Sequence, residues 1–178
     1  MASTFRVVFD LATAPDRWWN DVGWIFVLPL IGLLSLLIPE KVRNSAFYRG
    51  PKGAAAKVFG IAFFLLTGLI SVYFAVDHFQ QKVAYQVAQR KGQLSFAEGC
   101  LQNFHPMPQS GHDTERIDVA GHHFSYSDFD ASSPAFNNSE AYGGPIHADS
   151  AVKIWYTGNN IIKLAVRDHA CTSAPDLI

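Results

Sequence analysis

The sequence predicts an α+β membrane protein in which two transmembrane helices form a hairpin and a small, five-stranded, barrel-like β domain follows. Three observations carry that expectation. Two uncharged apolar blocks, Val22–Pro39 and Val58–Val76, are of membrane-spanning length. A short basic segment separates them. Past Gly92 the apolar residues cease to run continuously and recur at alternate positions. The expected organisation is an N-terminal extracytoplasmic or interfacial segment (1–21), a first span (22–39), a cytoplasmic loop (40–57), a second span (58–76), a helical stalk (77–92) and the β domain (93–178).

The first block, VGWIFVLPLIGLLSLLIP, has 18 residues and no charge, so as a helix it reaches about 27 Å, close to the hydrocarbon thickness of a bilayer. The second, VFGIAFFLLTGLISVYFAV, has 19 and no charge. A chain of 178 residues cannot bury two such helices on every side, so lipid is their expected surrounding. Pro29 removes one backbone donor from the first span, a defect that a neighbouring helix can absorb. Thr67, Gly68 and Ser71 form a small-residue patch that lets the two helices approach closely. A cleaved signal peptide fits less well, because Asp16, Arg17 and Asp21 give the preceding segment a net negative charge. Trp18, Trp19 and Trp24 at the start of the first span, and Tyr73 and Phe74 at the end of the second, mark one membrane interface.

Orientation follows from charge. Lys41, Arg43, Arg49, Lys52 and Lys57 stand against Glu40 alone between the spans, five positive against one negative, net +4. Short positive loops stay in the cytoplasm, which puts both termini outside a bacterial-type inner membrane. Both cysteines of the chain, Cys100 and Cys171, fall in the outward-facing domain. An oxidising space and an even number predict a disulfide, which in the chain-entropy model contributes roughly 3 to 4 kcal/mol.

After the second span, DHFQQKVAYQVAQRK is rich in helix formers and lacks Gly and Pro, so the helix is expected to continue as a stalk that ends before Gly92. Phe79, Val83 and Val87 recur every four residues and are expected to pack on the protein's own domain. In the β domain, Leu94, Phe96, Cys100 and Phe104 share one parity and suggest a long first strand bent at Glu98–Gly99. Arg116–Val119 and His122–Ser127 form a hairpin around Ala120-Gly121. Val152, Ile154 and Tyr156 pair with Ile162, Leu164 and Val166 across Gly158-Asn159-Asn160. Five such strands fit a small OB-like or SH3-like barrel better than a sandwich. Residues 128–150 form a long irregular connection, the kind that in compact domains tends to be functional.

The runs NFHPMPQSGHDTER, VAGHHFSYSDF, AFNN, GGPI and VKIWYTGNNIIKL, between Glu98 and Val166, resemble a group of short bacterial proteins with no established function. The resemblance implies one folded module and carries over no activity.

The chemistry of the domain is sparse. His105, His112, Asp113 and Glu115 cluster in sequence, but no H-E-x-x-H or paired-cysteine spacing accompanies them, so neither metal nor cofactor is expected. Ser110 near His112 and Asp113 lacks the strand-turn-helix setting of a reactive serine. From Asp77 to Ile178, seven Lys and Arg face eleven Asp and Glu, net −4, which repels nucleic acid. The expected function is a membrane-anchored extracytoplasmic binding or scaffolding module, not an enzyme, acting as an accessory subunit of an envelope or inner-membrane complex. Its expected partners are lipid, a membrane or periplasmic protein, and further copies of itself. A metal- or carboxylate-dependent envelope hydrolase is the alternative. Recognition is expected on residues 106–115 and 128–150, with Phe136 and Tyr142 as apolar anchors beside His112 and Glu115.

Overall fold

The computed structural model describes residues 4–15, 23–43, 45, 50, 53–130, 133–168 and 171. Trp18, Trp19, Arg49 and Lys52 lie outside the described residues. The chain divides into two compact units, Arg17–Phe79, and Met1–Asp16 together with Gln80–Ile178.

In the first unit a 3-10 turn, Gly23–Phe26, leads into helix α1 (Val27–Leu36). A short helix α2 (Glu40–Arg43) follows, and then α3 (Gly53–Arg90), whose residues up to Phe79 belong here. The sequence led us to expect two helices of spanning length, whereas among the described residues one, α3, is long and apolar enough to cross a membrane. The first apolar block is helical only over Gly23–Leu36, and Pro39 accounts for the early stop, since the residue before a proline is driven out of the helical region. Only 11% of the most apolar window of α3 is buried inside the chain, whereas the core helix of a soluble domain is mostly buried.

Glycines set the spacing inside this unit. A Cβ on Gly60 would meet the Leu36 side chain at 2.5 Å and the Ser35 hydroxyl at 2.7 Å. A Cβ on Gly32 would lie 3.0 Å from the backbone of Phe64. The buried Ser71 donates its hydroxyl to the Ile25 carbonyl at 2.9 Å, so one member of the expected small-residue patch bridges to the other apolar segment. The buried Arg43 guanidinium donates to the Ser35 carbonyl in the last turn of α1, where an unsatisfied acceptor and the negative end of the helix dipole favour a cation.

Among its described residues the second unit holds seven strands rather than five. An antiparallel sheet of four has the order β1 (Arg6–Asp10), β7 (Asn160–Arg167), β6 (Ala151–Thr157), β2 (Ser95–Cys100). A sheet of three has the order β3 (Gln102–His105), β4 (Glu115–Val119), β5 (His122–Tyr126). Neither sheet closes on itself among the described residues. One core serves both, with Ala97, Ile154 and Leu164 from the larger sheet against Ile117, Val119 and Phe124 from the smaller. Full burial of each larger apolar side chain is worth about 1.5 to 3 kcal/mol.

Three expectations are corrected here. The N-terminal segment is not merely interfacial: Arg6–Asp10 pairs with β7, with Arg6 opposite Val166 and Asp10 opposite Lys163. The long first strand is two strands, broken at Leu101 and shared between the sheets. Within β2 the parity is the reverse of that expected, because Ala97 enters the core while Phe96 stays 48% exposed and meets Trp155 at 5.2 Å between ring centroids. The tail of α3 departs from expectation as well. Val83 and Val87 are exposed, and the domain is instead gripped through Tyr85, which accepts from Asn160, and Gln86 and Gln89, which donate to Leu11 and Asp10.

Candidate functional site

The candidate site grows from the smaller sheet and the long connection that leaves it. Glu115 opens β4 and Tyr126 closes β5, directly across from it. Glu115 is fully buried. One of its carboxylate oxygens accepts the Tyr126 hydroxyl at 2.5 Å and the other accepts the Glu140 amide at 2.9 Å. Burial pushes the Glu115 carboxyl above the ordinary glutamate range, and the donated bonds from Tyr126 and the Glu140 and Met107 backbone only partly offset it. The Tyr126 hydroxyl is raised too, first by burial and then by the neighbouring Glu115 charge.

This carboxylate pins the far end of the loop. Asp128 accepts the Ser139 amide at 3.0 Å, and the Ser139 carbonyl accepts the Gly144 amide at 2.7 Å. A Cβ on Gly144 would fall 2.3 Å from the Asn138 carbonyl oxygen, so no other residue fits without moving the backbone. Glu140 reaches on to His147 Nδ1 at 2.8 Å. The connection that looked irregular in sequence is therefore held at several fixed points.

Its outer side carries an aromatic pair. Phe129 is 64% exposed and Tyr142 49%, their rings perpendicular at 5.7 Å, and the Tyr142 hydroxyl donates to the Gln109 carbonyl. The Phe129 ring lies 3.1 Å from where a Cβ on Gly111 would stand, and Gly111 and His112 both have left-handed backbones, φ +72° and +68°. An open depression of about 500 Å³ is lined by the segment Ser110 to Thr114 with Ser127 and Phe129. Asp113 beside it is held below the ordinary carboxylate range by the Thr114 amide and then by His105, with Arg116 adding its charge.

The structure separates the four expected recognition residues. Tyr142 is on the surface and His112 lines the depression. Glu115 is sealed, with its oxygens engaged by neighbours, and serves to order the loop. Phe136 is a core residue, edge-on to both Phe9 and Tyr126, and its amide donates to the Ile161 carbonyl. Of the acid and histidine cluster, His105 and Asp113 meet at 3.1 Å, and among the described residues no three His, Cys, Asp or Glu side chains converge as metal ligands. Phe129 was missed, though an aromatic directly after the Ser127-Asp128 turn signal was there to be read. Cys100 and Cys171 form a disulfide with their Cα atoms 5.7 Å apart. No protein-family model, curated protein or solved structure matches this chain.

Proposed function

We propose that this chain is a membrane-anchored binding or scaffolding module on the extracytoplasmic side of a bacterial-type inner membrane, acting as an accessory subunit of an envelope complex. The observation that carries the reading is the pairing of β1 with β7. Strands that exchange backbone hydrogen bonds lie on the same side of a membrane, so the chain between Asp10 and Asn160 crosses an even number of times. If α3 crosses, the apolar segment before it crosses too, and the two form a helical hairpin. The positive loop then lies inside and the β domain outside. The Cys100–Cys171 disulfide supports an oxidising compartment. The barrel-like reading of the domain rests on the single core that its two sheets share.

Within that frame the exposed Phe129–Tyr142 pair and the adjoining depression are the recognition surface, and the resemblance to short bacterial proteins fits one such module. A reporter active only in the cytoplasm, fused after Ile178, is expected to stay silent. A photoreactive residue replacing Tyr142 in native membranes is expected to give a discrete protein adduct absent when the same residue replaces Phe96. A bright cytoplasmic reporter overturns the orientation, and equal adducts at both positions overturn the recognition surface.

A further inference from the structure

His112 is a non-glycine residue held in the left-handed region, φ +68°, directly after Gly111 at φ +72°. Histidine adopts that backbone more readily than most residues, and such outliers cluster at segments that contact ligands. His105, His122, His123 and His147 each have a polar partner. The His112 imidazole has none among the described residues, and neither has the Ser110 hydroxyl. Both residues line the open depression of about 500 Å³, whose apolar wall is the Phe129 ring, 64% exposed. That volume falls in the range of small-ligand sites.

The chemistry of the lining selects its occupant. Asp113 is the one carboxylate there, and it is taken up by the Thr114 amide, His105 and Arg116, so a lysine or arginine would meet no free counter-ion. An aliphatic side chain would cover Phe129 but strip water from His112 and Ser110 without replacing it. A flat ring with one polar tip answers both requirements. We infer that the depression is a socket for a tyrosine or tryptophan side chain of a partner protein, its ring against Phe129 and its hydroxyl or indole N–H on His112 or Ser110. The inference rests on the recognition surface proposed above and names what that surface grips. Phe129 is already in position for an aromatic contact: its ring lies 3.1 Å from where a Cβ on Gly111 would stand, and Tyr142 meets it perpendicular at 5.7 Å. One aromatic anchor in such a socket is the usual energetic centre of an interface.

N-acetyl-tyrosinamide and N-acetyl-phenylalaninamide differ by one hydroxyl and test it, with N-acetylglucosamine as a sugar probe. The full chain in detergent is titrated with each while its imidazole resonances are followed. That of His112 is identified by its loss in His112→Gly, a change that suits the left-handed backbone. The tyrosinamide is expected to shift the His112 resonance saturably, at several-fold lower concentration than the phenylalaninamide, with no comparable shift of another imidazole. Phe129→Ala is expected to weaken that binding several-fold. Equal responses to the two amides, a stronger response to the sugar, or no response to any probe overturns the socket. The photoreactive residue at Tyr142 in native membranes separates the two readings. A discrete protein adduct there without tyrosinamide binding removes the socket and leaves the recognition surface standing, whereas absence of the adduct removes the surface and, with it, a protein occupant for the depression.

Discussion

Tyr126 donates its hydroxyl to a carboxylate oxygen of Glu115 across 2.5 Å, and the two residues are also direct cross-strand partners at the end of the β4–β5 hairpin. The pair is buried, so the bond replaces hydration that the carboxylate has lost. Removing the donor leaves the carboxylate under-satisfied, which costs about 1 to 3 kcal/mol. Because the hydroxyl favours the ionised acid, its loss raises the Glu115 pKa further. A raised carboxyl contributes stability that is present below the ordinary value of 4.5 and lost as pH rises through the elevated one. Tyr126→Phe is therefore expected to destabilise the protein more near neutral pH than in mild acid, as read by denaturant titration in detergent at the two pH values. An equal loss at both would show that the carboxylate is not ionised at neutral pH.

Asp10 has the opposite sign. Burial opposes its ionisation, but hydrogen bonds from Gln89 and Lys163 and from the Ala12 amide outweigh that and hold the carboxyl below its ordinary value of 3.8. Its contribution is present above 3.8 and lost as pH falls through the lowered value. Asp10→Asn keeps the shape but loses the charge that meets Lys163 at 2.9 Å. The expected cost is about 1 to 2 kcal/mol at neutral pH, vanishing in acid, with faster amide exchange in β1 as the local readout.

The disulfide joins residues 71 apart in sequence, a loop whose closure is worth about 4 kcal/mol in the chain-entropy model. The double variant Cys100→Ser, Cys171→Ser is expected to unfold at a markedly lower denaturant concentration. Unfolded but unreduced wild-type protein is expected to take up no maleimide, and labelling of both thiols would contradict the bridge.

Ala120 and Gly121 form the two-residue turn of the β4–β5 hairpin, with φ +50° and +80°. Left-handed backbone costs an alanine roughly 1 kcal/mol that glycine or asparagine does not incur. Ala120→Asn is thus expected to raise the denaturation midpoint without changing its slope. An unchanged or lowered midpoint would place the turn in another conformation.

The features legible in the sequence were those encoded locally. The β6–β7 hairpin could be read because its turn and alternating residues are adjacent in the chain, and the hairpin around Ala120-Gly121 for the same reason. Strand β1 could not, because its partner β7 lies at the other end of the chain and Phe5 to Phe9 reads equally well as an interfacial segment. The outward Phe96 misled because apolar character was equated with the core, whereas its ring is satisfied by Trp155 on the outer face. Glu115 was expected to take part in recognition. Only its pairing with Tyr126 and the Glu140 amide reveals it as the internal tie of a loop.

Phe136 and Tyr142 were read as one pair and belong to two environments, so their substitutions should separate. Phe136 is 6% exposed and packs on Phe9 and Tyr126, and Phe136→Ala removes a buried ring at an expected cost of about 3 to 5 kcal/mol. Tyr142 is 49% exposed. Its loss removes a contact with Phe129 and a hydrogen bond to a loop carbonyl, expected to cost about 1 kcal/mol or less. Its effect should fall on recognition, because Phe129 would lose the ring that holds it edge-on beside the depression. Denaturation midpoints of both variants in detergent, set against crosslinking yields from a photoreactive residue at Phe129 with and without Tyr142→Ala, make the comparison. Equal destabilisation by the two substitutions would make Tyr142 a packing residue, and an unchanged crosslinking yield would remove it from the recognition surface.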